Sequence, residues 1–210
     1  MTMEDDKMVR NFLKDCLKIT DRELLRELDS ISTVEIFSKD EKLISVGEKQ
    51  DEIMLLMDGI FRGYLIDPEG RDFTDCFGFQ PGTPAMGCTR LDLPAQLNIQ
   101  ALNRVTVLKI PVEDVMELMK KYPEVAEIYN RYLTWSLEEH FERDIVKSTL
   151  SAGEKYRWFL EKYPDLLEKV SHKHIASFLN MVPQTLSRER KRLRKDGEKN
   201  GGANNATKMS

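Results

Sequence analysis

From Gln184 to Lys195 the chain sets three small hydrogen-bonding side chains, Gln184, Thr185 and Ser187, beside six cations, Arg188, Arg190, Lys191, Arg192, Arg194 and Lys195. Amides, hydroxyls and guanidinium groups can exchange hydrogen bonds with base edges, and cations neutralise phosphates. On a helix whose first turn enters a major groove, this order brings base-reading groups in first and charge behind them. Helical phase assigns Gln184, Thr185 and Arg188 to bases and Ser187 to a base or a phosphate. Arg190, Lys191, Arg192 and Lys195 are assigned mostly to phosphates. A solvated basic helix is the ordinary explanation of such a run, so the decision rests on what precedes it.

The stretch Ser171 to Lys195 predicts two short helices with a sharp turn between them. In the first, Ile175, Ala176 and Leu179 recur at helical spacing and form one apolar face. Asn180 tolerates the left-handed backbone that a tight turn demands. Pro183 suits the first turn of a second helix, where its missing N–H costs nothing. Leu186 and Leu193, seven residues apart, turn inward. The pattern is a helix-turn-helix, which favours nucleic acid over bare solvation.

IASFLNMVPQTLSRERKRL resembles the DNA-binding end of the Crp/Fnr family of bacterial transcription regulators, in its compact branch with little chain after the motif. Three residues depart from that pattern. Asn180 stands at the turn glycine, Val182 at the N-cap threonine or serine, and Glu189 at an inward apolar position. The resemblance implies a homodimer on a palindromic operator of double-stranded DNA, with RNA polymerase as a further candidate partner.

Composition agrees with a globular protein: 210 residues, 40% hydrophobic and 32% charged, are enough for a real core. No run of about 18 apolar residues occurs, which excludes a helical membrane span. The acidic start MTMEDDKMVRNF lacks the order of a signal peptide, so the cytoplasm is the expected compartment. Cys16, Cys76 and Cys88 are too few and too scattered for a disulfide framework or a metal site, and are expected to be buried small hydrophobes. His140, His172 and His174 are expected to be ordinary surface or capping groups. The net charge of −4 is uneven, with most acids before Asp144 and the basic run near the end. That asymmetry fits a binding module fused to an acidic partner domain.

Upstream, Met3 to Leu17 has helical spacing, and Thr20 with Glu23 fits a capping box for a second helix bearing Leu24, Leu25 and Leu28. From Ile31 the period becomes two. Short strands carry Val34, Ile36, Leu43, Ile44, Val46, Ile53, Leu55, Met57, Ile60, Tyr64, Ile66, Phe73, Cys76, Phe77 and Phe79. More strands follow at 97–102 and 105–110. Turns fall at Gly47-Glu48, Asp58-Gly59 and Asp67-Pro68-Glu69-Gly70. This predicts a double-sheet roll or barrel. The march Gly47, Glu48, Asp51, Leu55, Leu56, Gly59, Arg62 resembles the cyclic-nucleotide-binding β-roll of the same family, and its residues look structural.

Pro111 opens a helix with Val112, Val115, Met116 and Met119 inward. Pro123 opens the longest helix, to about Leu150. Val125, Ile128, Tyr129, Tyr132, Trp135, Ser136, Glu139, Ile145 and Val146 approximate a heptad seam there. Such a seam can pack on its own roll, but the resemblance and the need for two recognition helices on DNA favour a twin. Ser151-Ala152-Gly153 breaks the helix. A further amphipathic helix, Glu154 to Tyr163, turns Tyr156, Phe159 and Leu160 inward, and Leu166, Leu167 and Val170 are apolar.

The family's nucleotide cassette needs a glutamate for the sugar and an arginine for the phosphate. Here those positions fall at about Ala85 and at Ala95-Gln96. No cyclic nucleotide of the familiar kind is therefore expected. The pocket candidates are Met86, Cys88, Arg90, Gln96, Leu97 and Ile99. They either bound a cavity for a less charged ligand or fill it. No nucleophile–base pair, metal cluster or phosphate loop is present, so an enzyme is not expected, and no cofactor is implied.

The expected fold is α+β. A cyclic-nucleotide-binding-like, jelly-roll-like sensor spans 1–121 and a dimerisation helix 122–150. An all-α helix-turn-helix domain spans 151–195, with a disordered tail at 196–210. The function expected is a homodimeric DNA-binding transcription regulator whose effector is unidentified. The alternative is a ligand-binding or protein-interaction module whose basic helices contact an acidic partner.

Overall fold

A computed structural model describes the backbone of residues 3–206 and the side chains of residues 7–195. It divides into two compact units, Met1–Glu138 and Glu139–Ser210.

The first unit opens with helix α1 (Met3–Asn11), one π-helical turn (Phe12–Cys16) and α2 (Arg22–Ile31). The N-cap of α2 is Asp21, not Thr20: the Asp21 carboxylate accepts from the amides of Glu23 and Leu24 at 2.7 and 3.0 Å. A carboxylate is the better acceptor at the positive end of a helix. Thr20 instead donates its amide to Glu124 at 3.0 Å.

Eight strands follow: β1 (Thr33–Phe37), β2 (Lys42–Ile44), β3 (Glu52–Asp58), β4 (Phe61–Ile66), β5 (Asp72–Gly78), β6 (Pro84–Ala85), β7 (Asn98–Ala101) and β8 (Val105–Pro111). They form two antiparallel sheets, ordered β1-β8-β3-β6 and β2-β7-β4-β5. The double-sheet roll is therefore present. The two-residue β6 was not legible, because Pro84-Ala85 has no alternation to read. Val46 and Ile60 lie just outside strands. At the β3–β4 turn Gly59 has φ +101°, and a Cβ there would collide with the Arg104 carbonyl oxygen, so only glycine fits.

Period-two patterning sorts β8 between two cores. Val105 and Val107 join Phe37, Met54, Leu56, Phe61 and Ile99 inside the roll. Leu108 and Ile110 pack with Leu13, Leu24 and Leu28 from the helices. Each such side chain contributes about 1.5–3 kcal/mol by leaving water. Among the described residues of this unit one cation is buried. Arg62, 4% exposed, makes a forked pair with both Asp72 oxygens at 2.6 and 2.7 Å. It also donates to Gln100 Oε1 at 3.0 and 2.9 Å, tying β4, β5 and β7 together.

Helix α3 (Val112–Lys121) buries Val115 and Leu118, whereas Met116 is exposed. Met116 lies about 100° round the helix from Val115 and about 160° from Leu118, which carries it off the buried stripe. Helix α4 (Pro123–Thr149) is the long helix. Most of the expected seam faces its own protein. Val125 and Ile128 pack against the helical core. Tyr129 donates to the Thr89 carbonyl at 2.6 Å, and burial pushes the Tyr132 phenol up to about 12. Val146 is buried as well. Among the described residues, Trp135 and Ile145 of that seam are exposed, as are Leu137 and Phe141; Leu137, Phe141 and Ile145 share one face of α4, and Trp135 lies on another.

The second unit divides from the first inside α4, not at either end of it, because the last turns of α4 pack with the C-terminal helices. These are α5 (Ala152–Lys162), a 3₁₀ turn (Pro164–Leu166), α6 (His172–Phe178) and α7 (Pro183–Ala206). The Glu154 carboxylate closes the start of α5 by accepting from the Ser151 amide at 2.9 Å. Tyr156, Phe159, Leu166 and Val170 are buried, as their spacing predicted. The α7 backbone continues past Lys195 to Ala206, where a disordered tail was expected; no proline lies there to stop it. The last part of that tail, 207–210, lies outside the described residues. Among the described residues no helix is long and apolar enough to cross a membrane.

Candidate nucleic-acid interface

Helices α6 and α7 meet through a tight turn. The Ser171 hydroxyl caps α6 by accepting from the His174 amide at 3.3 Å. Ile175, Ala176, Phe178 and Leu179 are buried beneath it. Asn180 then takes φ +53°, and the Met181 amide turns back to the Ala176 carbonyl at 2.8 Å. That reversal is the helix-ending geometry a left-handed residue makes possible. Pro183 begins α7, as expected. Val182 supplies no side-chain cap, and its carbonyl takes the amides of Thr185 and Leu186 at 3.0 and 3.3 Å.

Leu186, 1% exposed, fixes the rotation of α7, with Leu193 half-buried one heptad on. Gln184, Ser187, Arg188, Lys191, Arg194 and Lys195 are all exposed, and most share the face opposite Leu186. Three other candidates are placed differently. Thr185 is half-buried. Arg190 turns to the first residue of α6 and donates to His172 Nε2 at 2.6 Å. Arginine has no acceptor, so this contact requires the His172 tautomer with a bare Nε2. Arg192 pairs with Glu189, Nη2 to Oε2 2.9 Å. The signals were available in the sequence: Arg190 follows the inward phase of Leu186, and Glu189 precedes a cation at i+3 spacing.

The roll's pocket candidates occupy different settings. Ile99 is 1% exposed and sits in the inter-sheet core with Ala85 and Ala95, while Leu97 packs against that core. Met86 and Cys88 are half-buried; Gln96 is exposed. Arg90 is exposed and forks onto Asp92 at 3.0 and 2.5 Å. Gly87 is pressed against Ala95, where a Cβ would stand 2.5 Å from the Ala95 Cβ. The residue missed was Gln50. Buried beneath the loop, its Oε1 accepts from the amides of Gly87 and Cys88 at 2.8 and 3.1 Å. Its Nε2 donates to the Leu93 carbonyl at 3.2 Å. Amides that could receive an anion are thus occupied by the protein itself. None of the three cysteines is in a disulfide, and all are half-buried, more open than expected of core thiols. Among the described residues no acid, histidine and cysteine cluster could hold a metal.

No family model and no curated protein matches the chain. Solved structures do. FixK2 from Bradyrhizobium japonicum superposes with a TM-score of 0.69 at 17% identity, covering 80% of this chain and 86% of that one. The c-di-GMP responsive global regulator CLP of Xanthomonas campestris gives 0.70 at 13% identity, over 84% of this chain and 93% of that one. A protein from Eubacterium rectale described as a transcriptional regulator of the crp/fnr family gives 0.66 at 16%, over 85% of each chain. The chain has the Crp/Fnr fold. Within that fold, α7 presents an exposed cationic face.

Proposed function

We propose that this protein is a homodimeric, DNA-binding transcription regulator of the Crp/Fnr type. The observation that carries the reading is the exposed face of α7, where Gln184 and Arg188 stand one helical turn apart. Amide and guanidinium groups are the side chains that make paired hydrogen bonds to adenine and guanine edges. Lys191 and Lys195 extend the same face toward phosphates. Glu189, which could have favoured an acidic protein partner, is turned inward, which removes that support. The stripe Leu137, Phe141 and Ile145 on α4 supports a dimer, because exposed apolar rows at helical spacing suit a twin helix. A palindromic operator and RNA polymerase are the partners such a dimer would meet.

The roll is proposed not to bind cyclic nucleotides. Its buried cation, Arg62, is already neutralised by Asp72, and Gln50 holds the loop amides. A buried phosphate without its own cation is too costly to hold.

Selection of bound sequences from a random duplex pool, followed by anisotropy titrations from 50 to 300 mM salt, tests the DNA reading. Enrichment of a palindrome, with affinity falling steeply with salt, is expected. Steep salt dependence without enrichment, or capture of no duplex, overturns it and returns the acidic-partner reading. Calorimetric titration with cyclic AMP and cyclic GMP tests the roll, and micromolar binding overturns that part.

A further inference from the structure

The inward side of α7 carries a charge. Glu189 has a side chain only 16% exposed, and its sole described ion-pair partner is Arg192, three residues on, at 2.9 Å. The pair is held by charge without an aligned bond, since the buried Oε2 of Glu189 accepts no hydrogen bond. Gly153 of α5 makes room for it. A Cβ at Gly153 would collide with Arg192 Nη2 and stand 2.8 Å from Glu189 Oε2. Three residues from two helices therefore share one crowded spot, and the Arg192 guanidinium is drawn toward it.

On the proposed DNA-binding reading, which this inference rests on, Arg192 would otherwise be one more cation for the phosphates. We infer that Glu189 is a positioning residue that holds Arg192 off the DNA and so limits how tightly α7 grips any sequence. A half-buried carboxylate left without its cation would be costly, so Arg192 stays with Glu189 while phosphates compete for it.

The test is the slope of log affinity against log salt, measured by anisotropy on a 30-bp duplex of arbitrary sequence. Each phosphate contact contributes about 0.9 to that slope. Lys191→Ala is expected to lower it by about that amount per subunit and Arg192→Gln to leave it at the parent value. Glu189→Gln should steepen it by about 0.9 per subunit and tighten binding at low salt, and Glu189→Leu should do the same if the amide disturbs packing. The double variant Glu189→Gln/Arg192→Gln should return to the parent slope. The inference is overturned if Arg192→Gln flattens the slope as Lys191→Ala does. It is also overturned if Glu189→Gln and Glu189→Leu change nothing, or if the gain survives in the double variant. A parent protein that binds no duplex at any salt sinks the DNA reading itself, and this inference with it.

Discussion

Trp158 of α5 and Phe178 of α6 lie nearly parallel, ring centroids 6.3 Å apart and planes 12° from each other. Phe159 and Tyr163 meet the same Phe178 ring at 67° and 83°. The first helix of the helix-turn-helix is thus held by one ring among three. Phe178→Ala should cost about 3–5 kcal/mol, the usual loss for a fully buried aromatic. Urea unfolding followed by Trp158 fluorescence would read it, and DNA affinity should fall with it because α6 positions α7.

Arg188 and Lys191 occupy one face of α7 but should behave differently. Arg188→Ala is expected to cost about 1–3 kcal/mol on the selected operator and little on other sequences. Lys191→Ala should weaken all duplexes alike and flatten the salt dependence. Competition titrations with operator and scrambled DNA separate the two. Equal losses from Arg188→Ala on both duplexes would remove its base-reading role.

Leu137 and Phe141 are 71% and 68% exposed on α4. A charge at either touches little within its own chain, so Phe141→Asp should leave the melting temperature of the monomeric protein nearly unchanged. It should shift sedimentation from dimer to monomer. Palindromic DNA would then be held no better than a half-site. A parent protein that sediments as a monomer would refute the dimer.

Acid should loosen the second unit through Glu142. Its carboxyl is held below the ordinary glutamate range, mainly by Lys162 and also by the Trp158 indole, which donates to it at 2.7 Å. A depressed carboxyl stabilises the fold at neutral pH. That contribution is lost as pH falls from about 4.3, the unperturbed value, through the lowered one. Glu142→Gln should melt lower than the parent at pH 7, and by calorimetry the gap should shrink as pH falls below about 4.3 and close below the lowered value; a gap that persists below both would assign the effect to packing.

The sequence by itself determined the order of the elements apart from β6, since period-two and helical patterns, Pro111, Pro123 and Pro183 are local signals. It also determined the turn at Asn180 and the inward rotation of Leu186, from which the exposed face of α7 follows. What it could not decide was which of several equivalent groups takes a given partner. Asp21 rather than Thr20 caps α2 because a carboxylate outcompetes a hydroxyl there. Gln50 reaches Gly87 and Cys88 only after two sheets close over them. Glu189 and Arg192 pair beneath Gly153, although spacing alone would equally allow Arg192 to face phosphates. The seam of α4 was assigned to a twin from the resemblance and the need for two recognition helices, yet Tyr129, Tyr132 and Val146 turn toward their own chain. Apolar spacing says that a helix face is covered. Only packing decides by what.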